Sequence, residues 1–116
     1  MAKEVKIDYD FNEDILWLHS GDKIKDSLAI DRFIVDFSPD NKVIGLEIHG
    51  AYDYLKGITN GKFARSYLKN MKKAGLGSYI SNDVIIVYFY LWINSKEERI
   101  PALNLPKAIA SKSVKN

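Results

Sequence analysis

Phe33-Ile34-Val35-Asp36-Phe37, Ser38-Pro39-Asp40-Asn41-Lys42 and Val43-Ile44-Gly45-Leu46-Glu47-Ile48 read in succession as strand, turn and strand. Phe33, Val35 and Phe37 recur at the period of two that puts alternate side chains on one face of a sheet. At the turn, the Pro39 ring presets the φ of the first central position of a type I turn. Asn41 tolerates the left-handed conformation that returns the chain. The return strand is expected to place Ile44, Leu46 and Ile48 on the core face. Gly45 then falls on the opposite face, where the missing side chain leaves room for a bulge or a close backbone. Such a hairpin commits the chain to an antiparallel sheet.

The flanking segments extend that sheet. Upstream, Val5, Ile7 and Tyr9 alternate with Lys6 and Asp8, the stretch from Asp10 to Asp14 is a turn, and Ile15 to His19 is apolar on both faces, as a central strand is. Ser20-Gly21-Asp22-Lys23 is a further turn, and Ile24 to Ile30 is more polar, with Lys25 and Asp26 suited to an edge. Downstream of His49-Gly50 the pattern changes. A helical turn is expected over Ala51 to Leu55, and a main amphipathic helix from about Gly61 to Ala74, capped by Thr59 or Asn60 and stopped by Gly75. Its stripe is Phe63, Tyr67, Leu68, Met71 and Ala74. Asn82-Asp83 then precedes Val84 to Ile93, whose β-branched and aromatic residues read as a strand covered on both faces. A polar turn at Lys96 to Arg99 leads into a last strand, Ile100 to Leu105, held at an edge by Pro101.

These readings give an α+β domain over residues 1–106. A twisted antiparallel sheet of six to seven strands, curled toward a barrel or split into two layers, carries one main amphipathic helix. A mobile basic tail is expected over 107–116. The 116 residues are 47% hydrophobic, 12% aromatic and 28% charged, with no cysteine. That composition fits one soluble domain and excludes disulfides, thiolate metal sites and a cysteine nucleophile. No signal peptide is read at the start, and the longest uncharged apolar run is about half of a membrane span, so a cytoplasmic location without membrane contact is the expectation.

Asp8-Tyr9-Asp10, Asp14-Ile15-Leu16-Trp17-Leu18, Ile34-Val35-Asp36-Phe37 and Val43-Ile44-Gly45-Leu46-Glu47-Ile48 together resemble a family of small prokaryotic proteins known as domain of unknown function 2283. The resemblance covers roughly residues 7–51 and implies the strands and turns above. It brings no catalytic or binding residues. It also implies that a chain of this kind acts beside a protein partner encoded by a neighbouring gene, in an antitoxin-like role.

The net charge of +2 hides a division of sign. Up to Asp53 there are 6 basic and 12 acidic residues, and from Tyr54 onward 11 basic and 3 acidic. The division is compatible with ordinary solvated faces, with a basic surface for an anionic partner, or with an acidic-to-basic contact between two copies.

Candidate chemistry is sparse. Asp8, Asp10, Asn12 and Asp14 imitate the start of a calcium loop, but Glu13 stands where the loop needs glycine and His19 where it needs a bidentate glutamate, so these acids read as strand-end and turn residues. Glu47 and His49, two apart on a strand, share a face and could form an acid-base pair or a weak metal site, yet no third ligand has a diagnostic spacing. Gly75-Leu76-Gly77 lacks the lysine and hydroxyl of a phosphate loop. No catalytic residue, cofactor or metal is assigned. The function expected is a non-catalytic interaction module, a homodimer joined through Tyr88, Tyr90 and Trp92. The alternative is single-stranded nucleic-acid binding through Lys62, Arg65, Lys69, Lys72 and Lys73 with those aromatics as stacking partners.

Overall fold

The computed structural model describes residues 2–93 and 96–106, so the expected tail at 107–116 lies outside the described residues. The elements are β1 (Lys3–Asp10), β2 (Ile15–His19), β3 (Asp26–Ile30), β4 (Phe33–Phe37), β5 (Val43–His49), α1 (Ala51–Ile58), α2 (Arg65–Asn70), β6 (Ala74–Ser81), β7 (Val84–Ile93) and β8 (Lys96–Pro106). The strands form one eight-stranded antiparallel sheet in the order β3-β4-β5-β2-β1-β6-β7-β8, curled into a half-barrel. β1 joins its two halves. Lys6 to Asp10 pair with β2, while Lys3 to Val5 pair with β6.

The concave face holds the core. Leu16, Leu18, Val35, Phe37, Leu46, Ile48, Val87, Phe89, Leu91 and Leu105 are at most 1% exposed. Leu55 of α1, Leu68 of α2 and Phe63 between the helices belong to the same cluster and cover its mouth. No helix among the described residues is long and apolar enough to cross a membrane.

The decisive hairpin forms as expected, with Asn41 at φ 66° and its amide donating to the Ser38 carbonyl at 3.0 Å. One detail differs. A register shift between Asp36 and Phe37 pairs Phe37 with Val43, so Val43, not Ile44, packs against the core. β2 is central and β3 and β8 are the edges, as the sequence implied.

The single main helix from Gly61 to Ala74 is a correction: only the six-residue α2 lies in that span and Ala74 already begins β6, while the helical turn expected at Ala51 to Leu55 is the eight-residue α1. Asn60 and Gly61 adopt positive φ of 54° and 81°. The Thr59 hydroxyl donates to the Leu55 carbonyl at 2.7 Å and accepts the Phe63 amide at 3.0 Å, so Thr59 closes α1 and does not open a longer helix. Ala64 and Met71, with ψ of 140° and 125°, confine the second helix to six residues. The stripe still faces inward. Phe63, Leu68 and Ala74 are buried, and Tyr67 and Met71 pack against them. Gly75, read as a helix stop, lies inside β6, which pairs with β7 along its whole length.

The start of α1 is capped from a distance. Asp14, at φ 55°, accepts the Ala51 amide on its carbonyl at 3.0 Å and the Tyr52 amide on its carboxylate at 2.9 Å. Tyr9 donates its hydroxyl to the same carboxylate at 2.6 Å. One side chain thus ties the β1–β2 turn to the helix that follows β5. Asp14→Ala is expected to lower stability by about 1–2 kcal/mol, measured by urea denaturation, while Asn, which tolerates positive φ, is expected to lose less.

Burial, and then the bond to Asp14, raise the Tyr9 hydroxyl above its ordinary value of 10.0, and burial raises Tyr54 as well. Both groups are therefore protonated longer in the folded than in the unfolded chain. Their contribution is whole below the ordinary tyrosine value and is lost as pH rises through the folded values. Stability is expected to fall as pH rises above the ordinary tyrosine value, and Tyr9→Phe to reduce that fall.

Candidate interaction surfaces on the outer sheet face

The convex side of β1, β2, β4 and β5 carries the residues that alternate with the core. Asp36 is the deepest of them, 5% exposed although charged. It accepts the Trp17 indole N–H at 3.2 Å and the Ser27 hydroxyl at 2.7 Å. Gly45, its partner across the ladder, makes the room: a Cβ there would stand 2.4 Å from Asp36 Oδ2. Trp17 is stacked on the His19 ring at 3.9 Å, and His19 Nε2 lies 2.6 Å from Asp8 Oδ2. This chain of side chains spans β1, β2, β4 and β3.

Sequence reasoning missed that network. The available signal was a lone carboxylate inside an apolar strand opposite a glycine, which reads as two oddities until the register pairs them. Beside it, Asp8, Asp10, Ile15, Trp17 and Glu47 line an open depression of about 410 Å³. Glu47 and His49 do share the outer face, with Oε1 and Nε2 3.0 Å apart. They form an exposed surface pair, and no group of three or more metal-ligating side chains occurs among the described residues. Asp10 caps its turn by accepting the amides of Asn12 and Glu13, each at 3.0 Å, which is the turn role the sequence suggested.

On the other half of the sheet, β7 divides its side chains cleanly. Val87, Phe89 and Leu91 enter the core. Tyr88, Tyr90 and Trp92 alternate with them and therefore point outward, away from the helices. Their rings follow one another at 5.7 Å and 6.3 Å, and Tyr79 extends the row 5.9 Å beyond Tyr88. Gly75 and Gly77 oppose Tyr90 and Tyr88 on β6. A Cβ at Gly77 would meet the Tyr88 ring at 2.6 Å, so the missing side chain is the bed on which that ring lies. Tyr88 is thereby 6% exposed, whereas Tyr90 and Trp92 are half-buried and Tyr79 is exposed.

The five cations expected to form one helix face are separated by the break in that helix. Arg65 and Lys69 are on α2, 4.2 Å and 4.3 Å above the Phe11 ring. Arg65 also donates to the Phe11 carbonyl at 2.7 Å, which pins the β1–β2 turn. Lys73 lies beyond the helix, 4.5 Å above Trp92. Lys62 and Lys72 are exposed, outside either helix. Arg99, which the sequence reading did not single out, stands 4.4 Å above Tyr88. A cation on an exposed ring contributes about 0.5–1 kcal/mol, so these pairs orient side chains more than they stabilise the fold.

The family model described as "Protein of unknown function (DUF2283)" matches residues 6–51, which hold the hairpin, the Asp36 network and the Asp14 cap. An uncharacterized protein of Methanocaldococcus jannaschii, MJ0789, is 32% identical over 98 residues, covering 84% of this chain and 80% of its own length. No solved structure matches. With the hairpin motifs and the matched segment in agreement, the N-terminal part of the chain, residues 6–51, belongs to the DUF2283 family of proteins of unknown function, and the chain as a whole is related to this uncharacterized archaeal protein.

Proposed function

We propose that this protein is a non-catalytic interaction module that dimerises by pairing the outer aromatic face of β6 and β7. One observation carries the reading: β7 has two apolar faces, and the fold uses only one of them for its core. The helices cover the concave side alone, which leaves Tyr79, Tyr90 and Trp92 accessible on the convex side. Aromatic residues lose few rotamers on docking and bury large areas, which suits the centre of an interface. Symmetric dimers are the commonest assemblies. Size-exclusion chromatography with light scattering at about 100 μM is expected to give twice the chain mass, and Trp92→Ala to weaken the association about tenfold or more. A monomer at that concentration ends this reading.

A second reading is favoured by the cations on the ladder. Lys73 over Trp92 and Arg99 over Tyr88 combine a stacking surface with phosphate-neutralising charge, as single-strand platforms do. It predicts oligonucleotide affinity that falls steeply with salt, and no binding at about 50 mM salt removes it.

A further inference from the structure

The division of charge along the chain becomes a division in space. Residues 54 to 82 contain Lys56, Lys62, Arg65, Lys69, Lys72 and Lys73 and no acid. Residues 54 to 73 form α1 beyond Asp53, α2 and the loops beside them on the concave side of the half-barrel, except that Lys73 turns to Trp92 on the outer face, and residues 74 to 81 are β6 of the sheet. Asp8, Asp10 and Glu47 lie on the convex side, around Trp17. The Asp8 side chain there is 67% exposed. One molecule therefore presents a sheet face on which Asp8, Asp10 and Glu47 outnumber Lys6, and a helical side whose cations outnumber Asp53, with the core between them.

We infer that the acidic face of one copy docks on the basic helical side of another, as a second contact beyond the aromatic one. The occupant is a second copy because the chain itself carries both complements, and it is present wherever the protein is. Acid-to-base contact between different sides of a molecule is heterologous, so it propagates from copy to copy and does not close a pair on itself. Lys62 and Lys72 are exposed on the basic side, within reach of a partner's carboxylates. Each exposed pair contributes little, so the contact depends on several acting together and fades as salt screens them.

Two charge-reversed proteins test this. In the first, Asp8→Lys and Glu47→Lys make the sheet face basic. In the second, Lys62→Glu and Lys72→Glu reverse exposed charges on the helical side, and circular dichroism confirms that both fold. At about 20 mM salt the wild-type protein is expected to grow beyond a dimer with concentration, and at about 500 mM to return to the smaller species. Each variant alone is expected to lose the growth. Mixed in equal amounts they regain it, because the reversed face of one meets the reversed side of the other and the two unaltered surfaces also match. Growth of either variant alone at wild-type concentrations overturns the inference, and so does a mixture that stays small. Wild-type protein that binds a single-stranded oligonucleotide at low salt but does not grow also overturns it. The aromatic dimer is a separate outcome: it persists at about 500 mM salt in both charge-reversed proteins, and Trp92→Ala weakens it without abolishing low-salt growth.

Discussion

Gly45→Val is expected to lower the unfolding free energy by about 3–5 kcal/mol, a large part of the 5–15 typical of a domain. Gly45 carries no positive φ, so the cost is not one of backbone conformation. It is steric and electrostatic. A Cβ stands 2.4 Å from Asp36 Oδ2 and 3.0 Å from Asp36 Cβ. Relief requires the carboxylate to swing outward, which abandons the Trp17 indole and the Ser27 hydroxyl. Hydrogen bonds to a charged group contribute about 1.5–3 kcal/mol each, and overpacking adds about 1–3. Asp36→Ala loses the bonds without the clash. Combining it with Gly45→Ala should therefore add less than Gly45→Ala costs by itself, because only the tight 3.0 Å contact between the two Cβ atoms remains, a non-additivity that urea denaturation of the four proteins measures. Additive losses would show that Gly45 and Asp36 act separately.

The hairpin from Phe33 to Ile48 was legible because its local signals agree. Alternation, the Pro39 turn and the left-handed Asn41 all specify the same geometry, and no distant contact has to intervene. The segment from Gly61 to Ser81 was not legible for the opposite reason. Phe63, Tyr67, Leu68, Met71 and Ala74 fit a helical stripe, and their inward direction was read correctly. What breaks the helix is tertiary: Thr59 caps α1, and the chain from Ala74 is drawn into an eight-residue ladder with β7. Gly75 and Gly77 weaken any strand signal in their own neighbourhood. Their reason for being glycine lies on β7, in the rings of Tyr90 and Tyr88.

The candidate surfaces divide along the same line. That Glu47 and His49 share a face follows from strand parity, and parity also puts Tyr88, Tyr90 and Trp92 on one face together, but the sequence reading had both faces of β7 covered and did not say which of them the core takes. Which of the cations reach those rings could not be read, because it depends on the break after Asn70 and on the register of β8. Lys73 belonged to the expected set and meets Trp92, whereas Arg99 did not and meets Tyr88. The Asp36 network escaped because its parts lie on β2, β3, β4 and β5, and only the pairing brings them together.

β7 allows folding and association to be separated within one strand. Phe89 is 0% exposed in the middle of the core, and Phe89→Ala should cost about 3–5 kcal/mol through lost burial and the cavity left behind. Tyr90, its neighbour in sequence, is half-buried on the other side, and Tyr90→Ala should cost the isolated subunit less than about 2 kcal/mol. Their expected effects on the proposed dimer reverse that order. A dimer that binds only folded chains has a thermal midpoint that rises with protein concentration. The Phe89→Ala protein, while it still folds, should melt lower at every concentration yet keep the same dependence, because its outer face is intact. The Tyr90→Ala protein should melt near the wild-type monomer limit with the dependence weakened or gone. Thermal melts from about 2 to 200 μM, read beside light scattering, measure both quantities. Equal loss of concentration dependence in the two proteins would mean that the outer face of β7 is not the contact and that association follows from the fold as a whole.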